Sequence, residues 1–339
     1  MRYLRYFSFL ILVSGFLSGC LFNEGKKNLN YKAFISQAEE IRVGKKLYLD
    51  VLRKFGGIYD NQKISDYVNE IGQNLINAAG ISDKKYSFYV LNSPITNAFS
   101  LPGGYVFICR GMLAILNTEA ELAGILSHEI AHVEARHYAE RTSYSLLARG
   151  LSLRAGPDGL IILEKDLTTK GNAATYLKSF ARQNEYEADQ IGMSYLVRAG
   201  YPPEGMISFL ERIEAFIMFK NSIRGSGNLN LLPEFFSTHP RTYKRIAEVG
   251  IRKEPYGERE KPGFSRVYLE NIDGIHIDND ITKNSLRLKI KTVRPGDTVK
   301  SLSNYSSIPV DLEKWFRALN GLENDDNLIV GETVKLIVQ

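Results

Sequence analysis

The chain of 339 residues is 44% hydrophobic and 24% charged, which excludes collagen-like, wholly disordered and multi-span membrane proteins. Its 43 basic and 38 acidic residues leave a net charge of +5, too weak to indicate a nucleic-acid-binding protein. Because domains hold roughly 100 to 200 residues each, the length predicts two folded parts.

Residues 1–19 have the features of a lipoprotein signal peptide. Two arginines among the first five residues precede an apolar stretch over residues 7–17, which is too short to cross a bilayer as a helix. A basic start, an apolar middle and small residues before a cut indicate export. The ending Leu17-Ser18-Gly19-Cys20 resembles a bacterial lipobox, so we expect Cys20 to carry the lipid and residues 20–30 to form a polar tether. The alternative is an uncleaved apolar anchor, or a cut beside an incidental cysteine.

Hydrophobic spacing predicts the first helix and a small sheet. Aliphatic residues at positions 64, 68, 71 and 75 share one helical face, which predicts a helix over residues 63–79. Alternating residues 86–91 and the apolar run over residues 105–109, after the Pro102-Gly103-Gly104 turn, predict strands.

Three further helices are expected along the chain. Thr118 and Glu121 form a capping box, which predicts a helix from Thr118 to about Arg141. Periodicity fades over residues 143–174, an excursion long enough to form a lid. A helix over residues 176–200 and a third with an apolar face over residues 206–217 follow.

The strongest chemical signal is His128-Glu129-Ile130-Ala131-His132. The two histidines lie about 40° apart on a helix, so both imidazoles can bind one metal ion. Glu129 lies beside them, where a carboxylate can deprotonate a zinc-bound water whose pKa the metal lowers to about 7. The motif predicts a metallopeptidase with one zinc ion per chain, in preference to surface histidines around a solvated glutamate.

A catalytic zinc takes three protein ligands and keeps one open position, so a third ligand is required. His137 lies about 140° from His132 around a continuous helix and faces away from the ion; we expect it to be structural or to support a ligand from behind. Farther along, Glu185 and Asp189 share a helical face, whereas Glu187 points elsewhere. Either Glu185 and Asp189 act together, or Glu187 acts alone. We favour the first, with Glu185 on zinc and Asp189 accepting the free N–H of a ligand imidazole.

Several separate motifs follow one another along the chain: Ala98-Phe99-Ser100-Leu101-Pro102-Gly103-Gly104, Arg110-Gly111, Glu121-Leu122-Ala123-Gly124, the His128 to His132 motif with Arg136-His137, and Glu185 to Asp189. Together they resemble the zinc endopeptidases related to the heat-shock protease HtpX and the CAAX prenyl protease, especially their periplasmic, BepA- and LoiP-like lipoprotein branch. The resemblance covers about residues 31–250 and implies a gluzincin fold, mostly helical with a small antiparallel sheet. It also implies ligands His128, His132 and Glu185, general base Glu129 and acid position Asp189.

The segment Ser237-Thr238-His239-Pro240 also looks like a motif of this family. Its histidine, His239, is expected either to stabilise the oxyanion of the tetrahedral intermediate or to occupy the open zinc position and hold the enzyme latent. A purely structural histidine is the alternative. Polypeptide substrates commonly bind zincins as an added strand, and we expect residues 104–108 to supply the receiving edge.

Three motifs follow a linker over residues 251–290: Val293-Arg294-Pro295-Gly296-Asp297-Thr298-Val299, Leu319-Asn320-Gly321-Leu322 and Val330-Gly331-Glu332-Thr333-Val334-Lys335-Leu336. With them, residues 291–339, here called the tail, resemble a LysM module with a strand, two short helices and a strand. Such modules bind the N-acetylglucosamine of peptidoglycan through two loops. Carried over, the resemblance points to Gly296, Asp297 and Thr298 in the first loop and to Asn320, Gly321 and Leu322 in the second. A docking or lid element is the alternative function of the tail.

The sequence therefore predicts an α+β protein with a metallopeptidase domain over residues 31–250 and a small βααβ LysM-like domain. We expect a zinc endopeptidase of the bacterial cell envelope, anchored by lipid and facing the periplasm, that hydrolyses unfolded or misassembled proteins. We expect the outer membrane as its location and peptidoglycan as a further partner. The alternatives are a chaperone or assembly factor for outer-membrane proteins with a latent protease site, against which the intact Glu129 argues, and a scaffold that ties the membrane to peptidoglycan.

Overall fold

The computed structural model describes residues 35–83, 85–148, 154–155, 161–162, 182–222, 239, 266–278, 285–307, 311–323 and 325–339. The predicted signal peptide, Cys20 and the tether lie outside the described residues, as do most of the predicted excursion and residues 251–265 of the predicted linker. The elements in chain order are α1 (Gln37–Lys54), α2 (Gln62–Ala79), β1 (Ser87–Leu91), β2 (Ala98–Leu101), β3 (Tyr105–Cys109), α3 (Arg110–Ile115), α4 (Glu119–Glu134), α5 (His137–Ala148), β4 (Arg154–Ala155), β5 (Ile161–Ile162), α6 (Arg182–Arg198), α7 (Glu204–Ser222), α8 (Arg266–Ile272), β6 (Arg287–Thr292), α9 (Val299–Ser303), α10 (Leu312–Asn320) and β7 (Thr333–Val338). This mostly helical arrangement with small sheets fits the predicted α+β class.

The chain divides into two compact units. One draws on residues 1–36 and 139–164 and contains the antiparallel pair β4–β5. The other draws on residues 37–138 and 165–339 and contains the remaining strands and every described helix except most of α5. None of the helices in the described ranges has both the length and the apolar character needed to cross a membrane.

Helix α4 is the centre of the larger unit. All its residues from Ala120 to His132 are buried, as expected for a helix that is surrounded by other elements on every side. It packs mainly against α6 and α7. Glycines allow the close approach: a Cβ on Gly192 of α6 would lie 3.0 Å from the backbone nitrogen of His128, and one on Gly124 would lie 3.0 Å from a carbonyl oxygen of α7.

The helix predictions hold for α2, α6 and α7 within the described residues. Helix α2 begins after Asn61, whose side chain caps it, and ends at Gly80 with φ of 73°. The predicted helix from Thr118 to Arg141 is wrong in its second half, because the helix ends at Glu134. Ala135 caps it, and Arg136, with φ of 55°, turns the chain before α5 begins at His137.

The three-stranded sheet has the order β1-β3-β2 and is mixed. Strands β2 and β3 pair antiparallel, whereas β1 and β3, the two strands that the sequence predicts, are parallel, with Ser87 opposite Tyr105. The prediction of a wholly antiparallel sheet is therefore wrong, because the chain crosses over between β1 and β2 before it forms the β2–β3 hairpin. Residues 105–109 are the central strand, so they cannot be the receiving edge; β2 is the edge strand that packs on α4.

The tail, together with residues 287–290 before it, forms the antiparallel pair β6–β7 with α9 and α10 between the strands. It packs on the metal-site region: the buried ring of Trp315 lies 5.7 Å from that of Phe216 and 5.0 Å from that of Phe219, both on α7. The buried Lys335 donates hydrogen bonds to the carbonyls of Ala114 and Leu116, 2.8 and 2.9 Å away. The LysM-like identity and the domain boundaries remain predictions.

Residues 266–278 lie within the predicted linker but pack into the core. Tyr268 and Leu269 on α8 are fully buried, and the Tyr268 hydroxyl donates to the carbonyl of Leu113 at 2.7 Å. The buried guanidinium of Arg110 donates to the carbonyls of His276 and Asp278 and to the side chain of Asn92. Arg110 thus connects the start of α3 with the chain that enters the tail.

Candidate active site

Helix α4 begins at a capping box, as the sequence predicts. The Thr118 side chain accepts a hydrogen bond from the Glu121 backbone at 3.1 Å, and the Glu121 carboxylate accepts from the Thr118 and Asn117 backbone. Arg212 of α7 donates to the same carboxylate at 3.1 Å. These bonds satisfy N–H groups that a helix start leaves without intrahelical partners, and they fix the start of the helix that carries His128 and His132.

Four buried side chains bring ligand atoms together at one point. They are His128, His132, Glu185 and His239, and one ligand atom from each lies within 4.8 Å of all the others. The Nε2 atoms of His128 and His132 are 3.0 Å apart, and the Glu185 oxygens lie 3.6 and 3.4 Å from them. His239 Nδ1 lies 3.3 Å from both His128 Nε2 and Glu185 Oε1.

This donor set fits zinc. Imidazole nitrogens and a carboxylate oxygen are its ligands in catalytic sites, usually three from the protein with one further position. His128, His132 and Glu185 supply the three, and His239 supplies a fourth donor at the same point. Burial lowers the pKa of His132 well below its usual value, against the opposing effect of Glu185, so the neutral form that binds metals is favoured.

Asp189 lies behind His128. Its Oδ1 is 2.9 Å from His128 Nδ1, the nitrogen that faces away from the donor cluster. Burial works to lower the pKa of His128, but hydrogen bonds with Asp189 and Glu185 outweigh it and raise the pKa to about 9. The two carboxylates therefore favour positive charge here, and Asp189 lies at hydrogen-bonding distance from the nitrogen of His128 that the cluster does not use.

Glu129 lies beside the donor cluster and is fully buried. The Ser100 hydroxyl donates to its Oε2 at 3.0 Å, and its Oε1 lies 3.3 Å from His239 Nε2. Ser100 belongs to edge strand β2, so the strand and the predicted base are joined directly. This contact was not predicted from the sequence, where Ser100 is one residue of the Ala98 to Gly104 motif. The one signal for it is the position of Ser100 shortly before the glycine turn.

His137 does not face away from the metal helix. Because α4 ends before it, His137 turns back, and its Nδ1 lies 2.8 Å from His132 Nδ1. Its Nε2 lies 3.1 Å from Glu187 Oε2. His137 therefore lies behind the predicted ligand His132. The prediction that it faces away from the ion on a continuous helix is wrong, because the helix ends at Glu134. Glu187, the alternative ligand, lies on this outer side and not in the donor cluster.

The six residues predicted to bind glycan occupy two different environments. Gly296 and Thr298 are exposed, and Thr298 caps α9. In the second loop the Asn320 amide is buried and hydrogen-bonds both backbone groups of Lys335. A Cβ on Gly321 would lie 1.6 Å from a guanidinium nitrogen of Arg212, so this loop faces α7. Asp297 is half-buried and accepts from the Arg294 backbone, and Leu322 packs against the core of the tail.

A helix that presents two histidines and a glutamate, with a carboxylate from a second helix completing the cluster, defines the class of single-metal hydrolase sites. A family model described as Peptidase family M48 matches residues 62–253. The chain therefore belongs to peptidase family M48.

Curated relatives support this membership. The chain is 30% identical over 218 residues to the mitochondrial metalloendopeptidase OMA1 of Schizosaccharomyces pombe, covering 62% of this chain and 60% of that protein. It is 29% identical over 227 residues to the beta-barrel assembly-enhancing protease of Escherichia coli K12, covering 64% and 44%. The Yersinia pestis protein of that name is 28% identical over 282 residues, covering 77% and 54%. The chain thus spans between about two fifths and three fifths of the length of these relatives.

Proposed function

We propose that this protein is a zinc-dependent endopeptidase of the bacterial cell envelope that hydrolyses unfolded or misassembled proteins. The observation that carries the proposal is the buried cluster of His128, His132, Glu185 and His239, with the Glu129 carboxylate beside it. Membership of family M48 and the metalloendopeptidase names of its relatives support it.

The residues around the cluster have separate roles in peptide hydrolysis. When bound, zinc supplies Lewis acidity, which makes water nucleophilic near neutral pH and polarises the peptide carbonyl. Glu129 accepts the proton of the attacking water and delivers a proton to the leaving amine. Ser100 holds one oxygen of Glu129 at 3.0 Å, which leaves the other directed towards the cluster. Asp189 fixes the ring of His128 from behind.

We propose that the site has two states, which differ in the position of His239. In the arrangement described, its Nδ1 lies at hydrogen-bonding distance from two of the other donors, where it fills the position that a substrate carbonyl needs. This observation favours the second candidate function, an assembly factor for outer-membrane proteins whose protease site is latent. With His239 displaced, its imidazole is available to stabilise the oxyanion.

Strand β2 is the proposed receiving edge for substrate. It is an outer strand of the sheet, it packs on α4, and it carries Ser100 beside Glu129. Strand β1, at the other edge, is bridged by Ile58 opposite Leu91. An extended peptide added to β2 gains main-chain hydrogen bonds without a demand for one side chain, which suits unfolded polypeptides as substrates.

We further propose that a lipid on Cys20 anchors the protein to the outer membrane on its periplasmic side. The beta-barrel assembly-enhancing proteases among the relatives support the choice of outer-membrane proteins as clients. For the LysM-like tail we restrict the proposed peptidoglycan contact to Gly296, Asp297 and Thr298. In the second loop the Asn320 amide is buried in hydrogen bonds with Lys335, the Arg212 guanidinium lies beside Gly321, and Leu322 packs against the core of the tail. Binding of the full chain to purified peptidoglycan, compared with a Thr298→Trp variant, tests this contact.

The decisive experiment compares the full chain, purified in detergent, with Glu129→Gln, using an unfolded outer-membrane protein as substrate and measuring bound zinc. We expect about one zinc per chain in both proteins and a loss of cleavage in the variant by a factor of about 10²–10⁴. The control is Glu134→Gln, the same change on the same helix, where the carboxylate accepts from the Tyr86 hydroxyl at 2.6 Å; it should cleave normally.

His239→Ala separates the two candidate functions. If the wild-type protein does not cleave the unfolded substrate and His239→Ala does, the site is a latent protease. If neither cleaves while both prevent aggregation of the unfolded substrate, the assembly-factor function replaces the endopeptidase. Wild type without zinc would refute both zinc-dependent proposals.

A further inference from the structure

Three side chains form a hydrogen-bonded chain behind the second histidine of the metal helix. His132 points its Nε2 into the donor cluster, 3.4 Å from Glu185 Oε1. Its other nitrogen, Nδ1, lies 2.8 Å from His137 Nδ1, and His137 Nε2 lies 3.1 Å from Glu187 Oε2. His132 and His137 are buried, whereas the Glu187 side chain is 43% exposed.

The direction of these hydrogen bonds follows from the chemistry at each end. A metal bound at Nε2 of His132 requires the lone pair there, so the ring proton of His132 is on Nδ1. This N–H then donates to Nδ1 of His137, whose own proton must be on Nε2. That second N–H donates to the Glu187 carboxylate, which in its ionised form has no proton to donate and acts as an acceptor. Every donor in the chain thus meets an acceptor, and one tautomer of each ring is selected.

The backbone is built to place His137 here. On a continuous helix His137 would lie about 140° from His132 and could not reach its ring. Instead α4 ends at Glu134, and Arg136 adopts φ of 55°, which is uncommon for a residue other than glycine. The Arg136 guanidinium donates to Glu40 of α1 at 2.7 Å, which holds this turn against a separate helix.

We propose that His137 and Glu187 are positioning residues that fix the orientation and tautomer of His132 for the metal. The inference rests on the proposed zinc function. It gives the two ligand histidines different supports: His128 is backed directly by the buried carboxylate of Asp189, and His132 is backed through an imidazole by a carboxylate that reaches solvent. Partners of this kind raise ligand basicity and restrict ring rotation, and their loss weakens metal affinity about 10- to 100-fold.

The test measures the zinc affinity of the full chain by competition with a chelator at fixed pH. Wild type is compared with His137→Leu, which removes the acceptor, and with His137→Asn, whose side-chain oxygen can replace Nδ1. Glu187→Ala removes the terminal carboxylate at a half-exposed position. Glu134→Ala is the matched control, since the Glu134 carboxylate accepts from the Tyr86 hydroxyl. Unfolding free energies in excess chelator report effects on the fold alone.

We expect His137→Leu to weaken zinc binding about 10- to 100-fold, with His137→Asn recovering part of the loss. Glu187→Ala should weaken it in the same direction, with a zinc-free stability close to that of Glu134→Ala. Unchanged zinc affinity in both Glu187→Ala and His137→Leu would overturn the inference while leaving the proposed function intact. Should His137→Leu fail to fold, Glu187→Ala decides alone. A wild-type chain that binds no zinc would overturn the proposed function and this inference with it.

Discussion

Replacing Leu302 with alanine tests whether the tail and the region around the metal site unfold as one body. Leu302 is fully buried in the small core of the tail, in a cluster with Phe316 and Leu336. Truncating a buried leucine costs about 2–5 kcal/mol, from the lost transfer free energy and the cavity left behind. Because Trp315 packs on α7 and Lys335 hydrogen-bonds the end of α3, we expect the whole body to lose this stability.

The assay is urea unfolding followed by two probes. Trp315 is the single tryptophan of the chain and is fully buried, so its fluorescence reports exposure of the tail contact. Far-UV circular dichroism reports chiefly the long helices outside the tail. In wild type the two transitions should coincide, and in Leu302→Ala both midpoints should fall together by on the order of 1 M urea. The control Val330→Ala, at an exposed position of the tail, should change stability by less than about 0.5 kcal/mol.

Separate transitions would refute this reasoning. If Leu302→Ala lowers the fluorescence midpoint and leaves the circular dichroism midpoint unchanged, the tail unfolds as an independent domain. The contacts of Trp315 and Lys335 would then contribute little to the stability of the rest of the protein.

Three further predictions concern the helix crossings, the buried lysine and the metal. Gly192→Ala should lower the unfolding free energy by about 1–3 kcal/mol and weaken zinc binding, because its Cβ would press on the backbone of His128. Gly124→Ala should lower the unfolding free energy by a similar amount without changing the zinc affinity. Denaturant unfolding measures the stability of each variant, and competition with a chelator measures its zinc affinity. Burial lowers the pKa of Lys335 well below its usual value, so the unfolded chain binds this proton more tightly. The unfolding free energy of wild type relative to Lys335→Met should therefore rise between pH 7 and 10, by up to about 1.4 kcal/mol per pH unit, and a flat difference would contradict the prediction. Zinc at 100 times its dissociation constant should raise the unfolding free energy by about 2.7 kcal/mol, and an unchanged thermal midpoint would count against a site formed only in the folded state.

Elements whose formation depends on residues close together in the sequence were predicted correctly. The start of α4 followed from Thr118 and Glu121, because a capping box joins residues only three apart. The parallel pairing of β1 with β3 could not be predicted in this way. It depends on a crossover and on contacts between Ser87 and Tyr105, eighteen positions apart, and alternation of apolar residues indicates a strand without naming its partner. The contact between Trp315 and α7 joins residues that are still farther apart in the sequence, and no local pattern indicates it.

The residues of the site also differ in how far local spacing predicts their positions. The spacing of His128 and His132 is a property of one helix, so the sequence alone places their rings together. The prediction of Glu185 as a ligand used the same helical spacing on a second helix. Its carboxylate lies beside the two histidines because α6 packs on α4. His137 is different, because its position depends on where α4 ends, and the end carries neither glycine nor proline. Arg136 adopts a positive φ there and its guanidinium bonds Glu40, ninety-six positions earlier. A tertiary contact thus overrides a helical pattern, and it does so one residue before the imidazole that reaches a metal ligand. The helix predicted through Arg141 was therefore wrong at the point where a tertiary contact ends the helix and places His137 beside the site.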